Sequence, residues 1–176
     1  MNRRLAICCL AAVMAAAVSL AADSVRIVPI VNERQVLVSF EMSDVYSEDV
    51  REMISSGLRT SFTYDIELRM LVPAWVDRTI ATATVTMTDD YDNLTRRHNL
   101  TRLVDGRMEE AVVTEDESEV KRWLTALSRL PLCSTSKLER NRDYYVRVSG
   151  RQRPQRSFPF GWAARITGQA KFTFIP

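Results

Sequence analysis

The chain has few of the residues that build metal and nucleophilic sites: one histidine, three cysteines and five glycines among 176 residues. The single histidine, His98, and the absence of Cys-x-x-Cys and His-x-His spacings exclude the common zinc patterns. No Gly-x-Ser-x-Gly elbow, phosphate-binding loop or dinucleotide fingerprint occurs. We therefore expect no metal, no cofactor and no enzymatic activity.

Long hydrophobic runs are also missing, apart from one short run at the N-terminus. Arg3 and Arg4 precede the apolar segment 5–18, and small residues follow it. This order is typical of a secretory signal peptide, because a transmembrane helix needs about 20 apolar residues. We predict a signal peptide at 1–22, a single domain at 23–176 and a location in the bacterial periplasm. An uncleaved membrane anchor is the alternative.

Outside the predicted signal peptide, basic and acidic residues are equal in number. Without Arg3 and Arg4 the chain carries 22 basic and 22 acidic residues, so nucleic acid is not expected as a partner. The signal peptide also holds two of the cysteines, and Cys133 alone can form no intramolecular disulfide. Its apolar neighbours Leu130 and Leu132 favour a buried thiol.

Alternating apolar residues predict most of the strands. Segments 24–30 and 34–42 form a hairpin around Asn32, and 58–72 and 79–88 are longer strands. We place Asp89, Asp90 and Asp92 in a turn rich in Asp and Asn, followed by a strand in which His98 is an ordinary residue. Two Asn-Leu-Thr sequons, 93–95 and 99–101, are interpreted as inert. The last strands are 143–149 and 170–175.

Two segments have the spacing of amphipathic helices. The first is 47–56, with Ser47 as N-cap and Gly57 after its last turn. In the second, Thr114 and Glu117 match a capping box. Its apolar stripe predicts a helix of about four turns that ends near Pro131 and packs on the sheet; the stripe consists of Val120, Trp123, Leu124 and Leu127.

The order of these elements is two strands, a helix, three strands, a helix and two strands. Strands and helices do not alternate as they do in parallel sheets, so the order predicts an α+β fold. We expect a strongly curved antiparallel β-sheet of about six to eight strands, sandwich-like or partly closed. One of the two helices packs on the sheet, and the short helix closes one end.

A candidate interaction surface precedes the last strand and combines aromatic and basic residues: Phe158, Phe160, Trp162, Arg151, Arg153 and Arg156. Charge is segregated nearby, since 137–156 has seven bases and two acids while 105–119 has seven acids and one base. The basic segment could contact anionic lipid or an acidic partner, form a solvated surface, or pair with the acidic segment.

These features favour an exported, non-enzymatic binding or scaffold protein of the envelope. It would contact another envelope protein or the membrane surface through an exposed sheet face or the aromatic segment. One alternative is a carrier of a small apolar ligand or lipid inside the curved sheet. Another is a small outer-membrane β-barrel. The two predicted helices and the C-terminal Ile-Pro argue against a barrel.

An ordered set of short motifs resembles the bacterial family called domain of unknown function 4390. The motifs are Ser56-Gly57-Leu58, Trp75, Tyr91-Asp92-x-Leu94-Thr95-Arg96-Arg97, Tyr145-Val146-Arg147-Val148 and Phe158-Pro159-Phe160. The resemblance covers roughly residues 25–175. Two departures occur: His98 replaces an aromatic residue after the two arginines, and one tryptophan stands near position 75 where relatives often have two. The resemblance implies an exported single domain and no catalytic residues.

Overall fold

The computed structural model describes residues 25–32, 34–153 and 166–175. The predicted signal peptide lies outside this part of the chain. So do Arg156, Phe158, Phe160 and Trp162 of the candidate interaction surface. Arg153 is described only as a strand residue, whereas the side chain of Arg151 is described in full.

The described part of the chain forms nine strands and two α-helices. The strands are β1 (Val25–Val31), β2 (Gln35–Met42), β3 (Thr60–Met70), β4 (Arg78–Asp92), β5 (Arg97–Val104), β6 (Arg107–Thr114), β7 (Ala126–Ser134), β8 (Arg142–Arg153) and β9 (Ile166–Phe174). The helices are α1 (Glu48–Ser55) and α2 (Glu117–Thr125), and single 3-10 turns occupy Ser43–Val45 and Thr135–Lys137.

The strands build two antiparallel sheets that remain open. One sheet has the order β1-β2-β7, and the other has the order β6-β5-β4-β3-β8-β9. All pairings are antiparallel, which confirms the predicted α+β class with its antiparallel sheets. Nine strands exceed the expected six to eight, because the sequence patterns missed β6 and β7.

The inner face of the six-stranded sheet is filled by the protein's own side chains. The alternating residues of β3 that were predicted to point inward are all buried: Phe62, Tyr64, Ile66, Leu68 and Met70. They belong to one cluster that includes buried residues of β2, α1, α2 and β7. The Tyr64 hydroxyl, deep in this cluster, donates a hydrogen bond to the carbonyl of Leu124 at the end of α2.

The first helix forms as predicted. The Ser47 side chain accepts a hydrogen bond from the backbone N–H of Val50, which satisfies one free donor of the first turn. Gly57 follows the last turn with φ +79°, a conformation that glycine adopts at low cost. Val50 and Ile54 are buried, so α1 packs its apolar stripe on the core.

The second helix is shorter than predicted, and the predicted capping box of Thr114 and Glu117 does not form. Asp116 is the N-cap, because its side chain accepts a hydrogen bond from the Ser118 N–H. Thr114 belongs to β6. The helix ends at Thr125, and Leu127 lies in β7, which pairs with β2. Tertiary pairing therefore overrides the local helical spacing.

Candidate functional site

The candidate interaction surface is only partly described, and Arg151 is its best-defined member. The Arg151 guanidinium lies 2.9 Å from Asp65 Oδ2 on the neighbouring strand β3. Asp65 also accepts a hydrogen bond from the Thr84 hydroxyl, at 3.3 Å. Arg151 is thus held on the outer face of the six-stranded sheet, where both groups are half-exposed and the ion pair itself contributes little stability.

The outer face of this sheet is polar and only partly exposed, because Thr63, Thr88 and Tyr145 on this face are buried. Threonines of β4 alternate outward as predicted, opposite Asp65 and Glu67 of β3. Toward β8 and β9 the face becomes basic, with Arg147 stacked 5.5 Å from the ring of Tyr145 and Lys171 exposed on β9. The exposed residues of this face form the sheet surface to which the sequence analysis assigns a contact, and that assignment stays a prediction.

The acidic and basic segments do not pair with each other in the described part of the chain. Arg102 binds Glu110 at 2.7 Å and Arg97 binds Glu115 at 3.0 Å, so partners of the acidic segment come from β5. Glu139 of the basic segment binds Arg78 at 2.6 Å. Of the other acids in segment 105–119, Glu109 is exposed on β6, whereas Asp116 caps α2 and Glu117 and Glu119 belong to its first turn.

Strand β6 presents the least protected sheet edge among the described strands. The edge strand β7 contains Pro131 and a bulge at Arg129, where φ is +56°. The edge strand β1 contains Pro29 and lies against β9. Proline and bulges are common devices that prevent edges from pairing. In β6, a bulge is confined to the start, and Glu110–Thr114 then pair in regular register with β5.

The outward side chains of β6 add an apolar row beside this edge. Met108 and Val113 are 62% and 60% exposed and lie on the outer face, opposite Leu103 and Asn99 of β5. Val112, between them, faces inward and packs against the core. An edge that offers free backbone groups and exposed apolar side chains has the properties needed to bind an extended segment.

A second polar site, which the sequence analysis missed, joins Asp89 and His98. Asp89 is not in a turn: it belongs to β4, is 1% exposed and has Oδ2 2.9 Å from Nδ1 of His98. His98 is 6% exposed and its ring lies 4.5 Å from that of Tyr91. His98 is therefore a buried hydrogen-bonded residue, which corrects its interpretation as an ordinary strand residue.

Burial raises the pKa of the Asp89 carboxyl, while the hydrogen bond and charge of His98 act in the opposite direction. The second carboxyl oxygen, Oδ1, is buried and has no hydrogen-bond partner among the described residues. A buried carboxylate of this kind depends strongly on its one partner. The alternation of β4 contained the signal, since Asp89 continues the inward series Val85 and Met87 by steps of two.

The described residues contain no cluster of three or more His, Cys, Asp or Glu side chains that could hold a metal ion. Cys133 is free and half-buried, and burial raises the pKa of its thiol. Neither described helix is long and apolar enough to span a membrane.

A family model described as domain of unknown function (DUF4390) matches residues 19–157. No curated protein and no solved structure matches the chain. The family match covers most of the sequence, including both sheets up to β8 and the Asp89–His98 pair. The chain therefore belongs to the domain of unknown function 4390 family.

Proposed function

We propose that the protein is an exported, non-enzymatic binding or scaffold protein of the bacterial envelope that adds a strand of a partner protein to its β6 edge. The unprotected edge at Glu110–Thr114, with exposed Val113 beside it, carries this proposal. Strand addition uses backbone hydrogen bonds for affinity and alternate side-chain contacts for specificity.

The partner segment should be extended, with apolar side chains on the outer face and basic side chains near the acids of segment 105–119. Complementary charge accelerates encounter and selects the partner, although it adds little affinity at exposed positions. The outer sheet face extends the contact, because it is polar and continuous with the β6 row.

The filled space inside the six-stranded sheet favours binding at the surface over the carriage of an apolar ligand. Phe62, Tyr64 and Tyr144 are fully buried there, and Phe40 of the smaller sheet packs with its ring 4.8 Å from that of Tyr64. A carrier would need an apolar cavity of roughly 300–1,000 Å³ in this place. Because this space is filled by side chains, the core of the protein would have to open before a ligand could enter.

The first experiment locates the contact in cells by placing a photocrosslinking amino acid at Val113 or at Val76. Val76 is a matched control, because it is 73% exposed but lies in the connection between β3 and β4. We expect a specific partner adduct from position 113 alone. Equal adducts from both positions would contradict an interface at β6.

The second experiment uses the purified partner, identified by mass spectrometry of the adduct. Binding should slow amide hydrogen exchange at Glu110–Thr114 by at least about tenfold, because free edge amides become hydrogen-bonded. Val113→Lys should abolish this protection, and Val76→Lys should preserve it. Stoichiometric lipid extracted from the native protein, with unchanged β6 exchange, would favour the carrier instead.

A further inference from the structure

A cavity of about 340 Å³ lies between α1, α2 and the adjoining ends of β4 and β5. His98, Tyr46 and Tyr91 contribute to its lining. The charged residues that line it are three acids and one base: Glu48, Glu52, Glu117 and Arg51. The cavity is thus aromatic, acidic and open to a small polar group.

In its neutral form, His98 gives this cavity a hydrogen-bond acceptor whose direction is set by the contact with Asp89. Its Nδ1 is 2.9 Å from Asp89 Oδ2, whereas Nε2 has no hydrogen-bond partner among the described residues. In the neutral imidazole, a carboxylate that accepts from Nδ1–H selects the tautomer in which Nε2 carries the lone pair. The ring is 6% exposed, so its rotation is restricted by packing against Tyr91.

The electrostatics of the cavity favour a cation. Its one base, Arg51, is already engaged by Glu48 at 3.3 Å. Burial raises the pKa of the Tyr46 hydroxyl, and the nearby charges of Glu117 and Asp89 raise it further. The chain places a cation of its own beside this tyrosine, because Lys121 Nζ lies 6.0 Å from the centre of the Tyr46 ring.

We propose that this cavity binds a primary ammonium or guanidinium group, supplied by a lysine or arginine side chain of a polypeptide or by a free alkylamine. The carboxylates neutralise its charge, and the faces of Tyr46 and Tyr91 attract it through their π-electrons. One N–H of the cation donates to Nε2 of His98. This binding does not require strand addition at β6, so either proposal can fail alone.

The test is an NMR titration of the whole protein, followed through the ring signals of His98, Tyr46 and Tyr91. The cationic probes are Nα-acetyl-lysine amide and n-butylammonium; the controls are Nα-acetyl-norleucine amide, which lacks the charge, and butyrate. We expect saturable shifts with the cationic probes alone. A lysine probe that binds about tenfold tighter than butylammonium identifies a polypeptide source, and equal affinities identify a free amine.

Two exposed glutamates allow a matched comparison of variants. Glu117→Gln should weaken binding of the cationic probes by about two- to fivefold, the range of an exposed charge contact. Glu115→Gln should leave it unchanged, because Glu115 does not line the cavity and pairs with Arg97 at 3.0 Å. Lys121→Gln removes a competing cation and should not weaken it.

Three results would overturn the proposal. The first is the absence of saturation with either cationic probe up to about 50 mM, beyond the weakest useful affinities. The second is binding of butyrate or the norleucine probe as tight as that of the cations. The third is equal affinity in Glu117→Gln and Glu115→Gln, because the cation would then bind elsewhere.

Discussion

Replacing His98 by phenylalanine should destabilise the protein strongly, because it leaves a buried carboxylate without a partner. The Asp89 side chain has no exposed surface, and His98 Nδ1 is its only side-chain hydrogen-bond partner in the described part of the chain. Removing one partner of such a buried pair costs about 3–5 kcal/mol. Since domains are stable by about 5–15 kcal/mol, a large share of the folding free energy would be lost.

The assay is urea unfolding, followed by tryptophan fluorescence, with the free energy of unfolding compared between variant and natural protein. The difference should shrink as the pH falls from 7 toward 4. The pKa of Asp89 is raised by burial in the folded state, and the loss of His98 raises it further. The penalty is therefore complete above the folded pKa and disappears as the carboxyl becomes protonated.

A second substitution distinguishes the loss of the pair from a packing defect. His98→Phe combined with Asp89→Leu removes both polar groups, and such replacements are often nearly neutral. The double variant should therefore recover most of the stability. A loss below about 1 kcal/mol for His98→Phe, independent of pH and not restored in the double variant, would refute the reasoning.

Three further substitutions test two contacts between elements and the cap of α2. Tyr64→Phe should lower the free energy of unfolding by about 1–3 kcal/mol in urea, because the Leu124 carbonyl loses its buried donor; no change would mean that this carbonyl is otherwise satisfied. Gly168→Ala should cost about 1–3 kcal/mol by calorimetry, since the added methyl collides with Val25 across the β1–β9 contact; a neutral result would indicate that β1 shifts freely. Asp116→Asn should make the free energy of unfolding less sensitive to acid, because hydrogen bonds from Ser118 lower the pKa of this N-cap carboxylate. The stability that the carboxylate contributes is present above the ordinary Asp pKa and is lost as the pH falls through the folded value. An unchanged acid transition would contradict this.

Strand periodicity predicted the elements whose two faces differ in burial. The alternation of β3 and β4 was sufficient, because one face of each strand packs on the core and the other carries threonines and charges. The β1–β2 hairpin and α1 also follow from local patterns, a turn at Asn32 and a cap at Ser47. Local signals were adequate there because tertiary contacts agree with them.

The end of α2 was mispredicted because a bulge imitates helical spacing. Leu127 and Leu130 are both buried, three residues apart, as on one face of a helix. In β7 the same spacing arises because two residues, Ser128 and Arg129, stand opposite the single residue Ser39 of β2. Only the presence of β2 as a pairing partner distinguishes the two cases.

Strand β6 was missed although its turn had a sequence signal. Asp105 and Gly106 both have positive φ, +49° and +78°, which gives the tight turn that Asp-Gly favours between two strands. The glutamates that follow concealed the strand by making the segment resemble a charged surface. The Asp89–His98 pair was missed for a related reason, since β4 was expected to end before Asp89.

The position of β3 at the centre of the large sheet has a consequence for folding kinetics. Its first neighbour, β4, follows immediately along the chain, but its second neighbour, β8, is synthesised more than seventy residues later. The backbone groups on one side of β3 therefore stay unpaired until β8 has been synthesised. Pairings over such separations are slow to form. During synthesis, β3 would therefore expose an unpaired edge to non-native strand pairing until residue 153 has emerged.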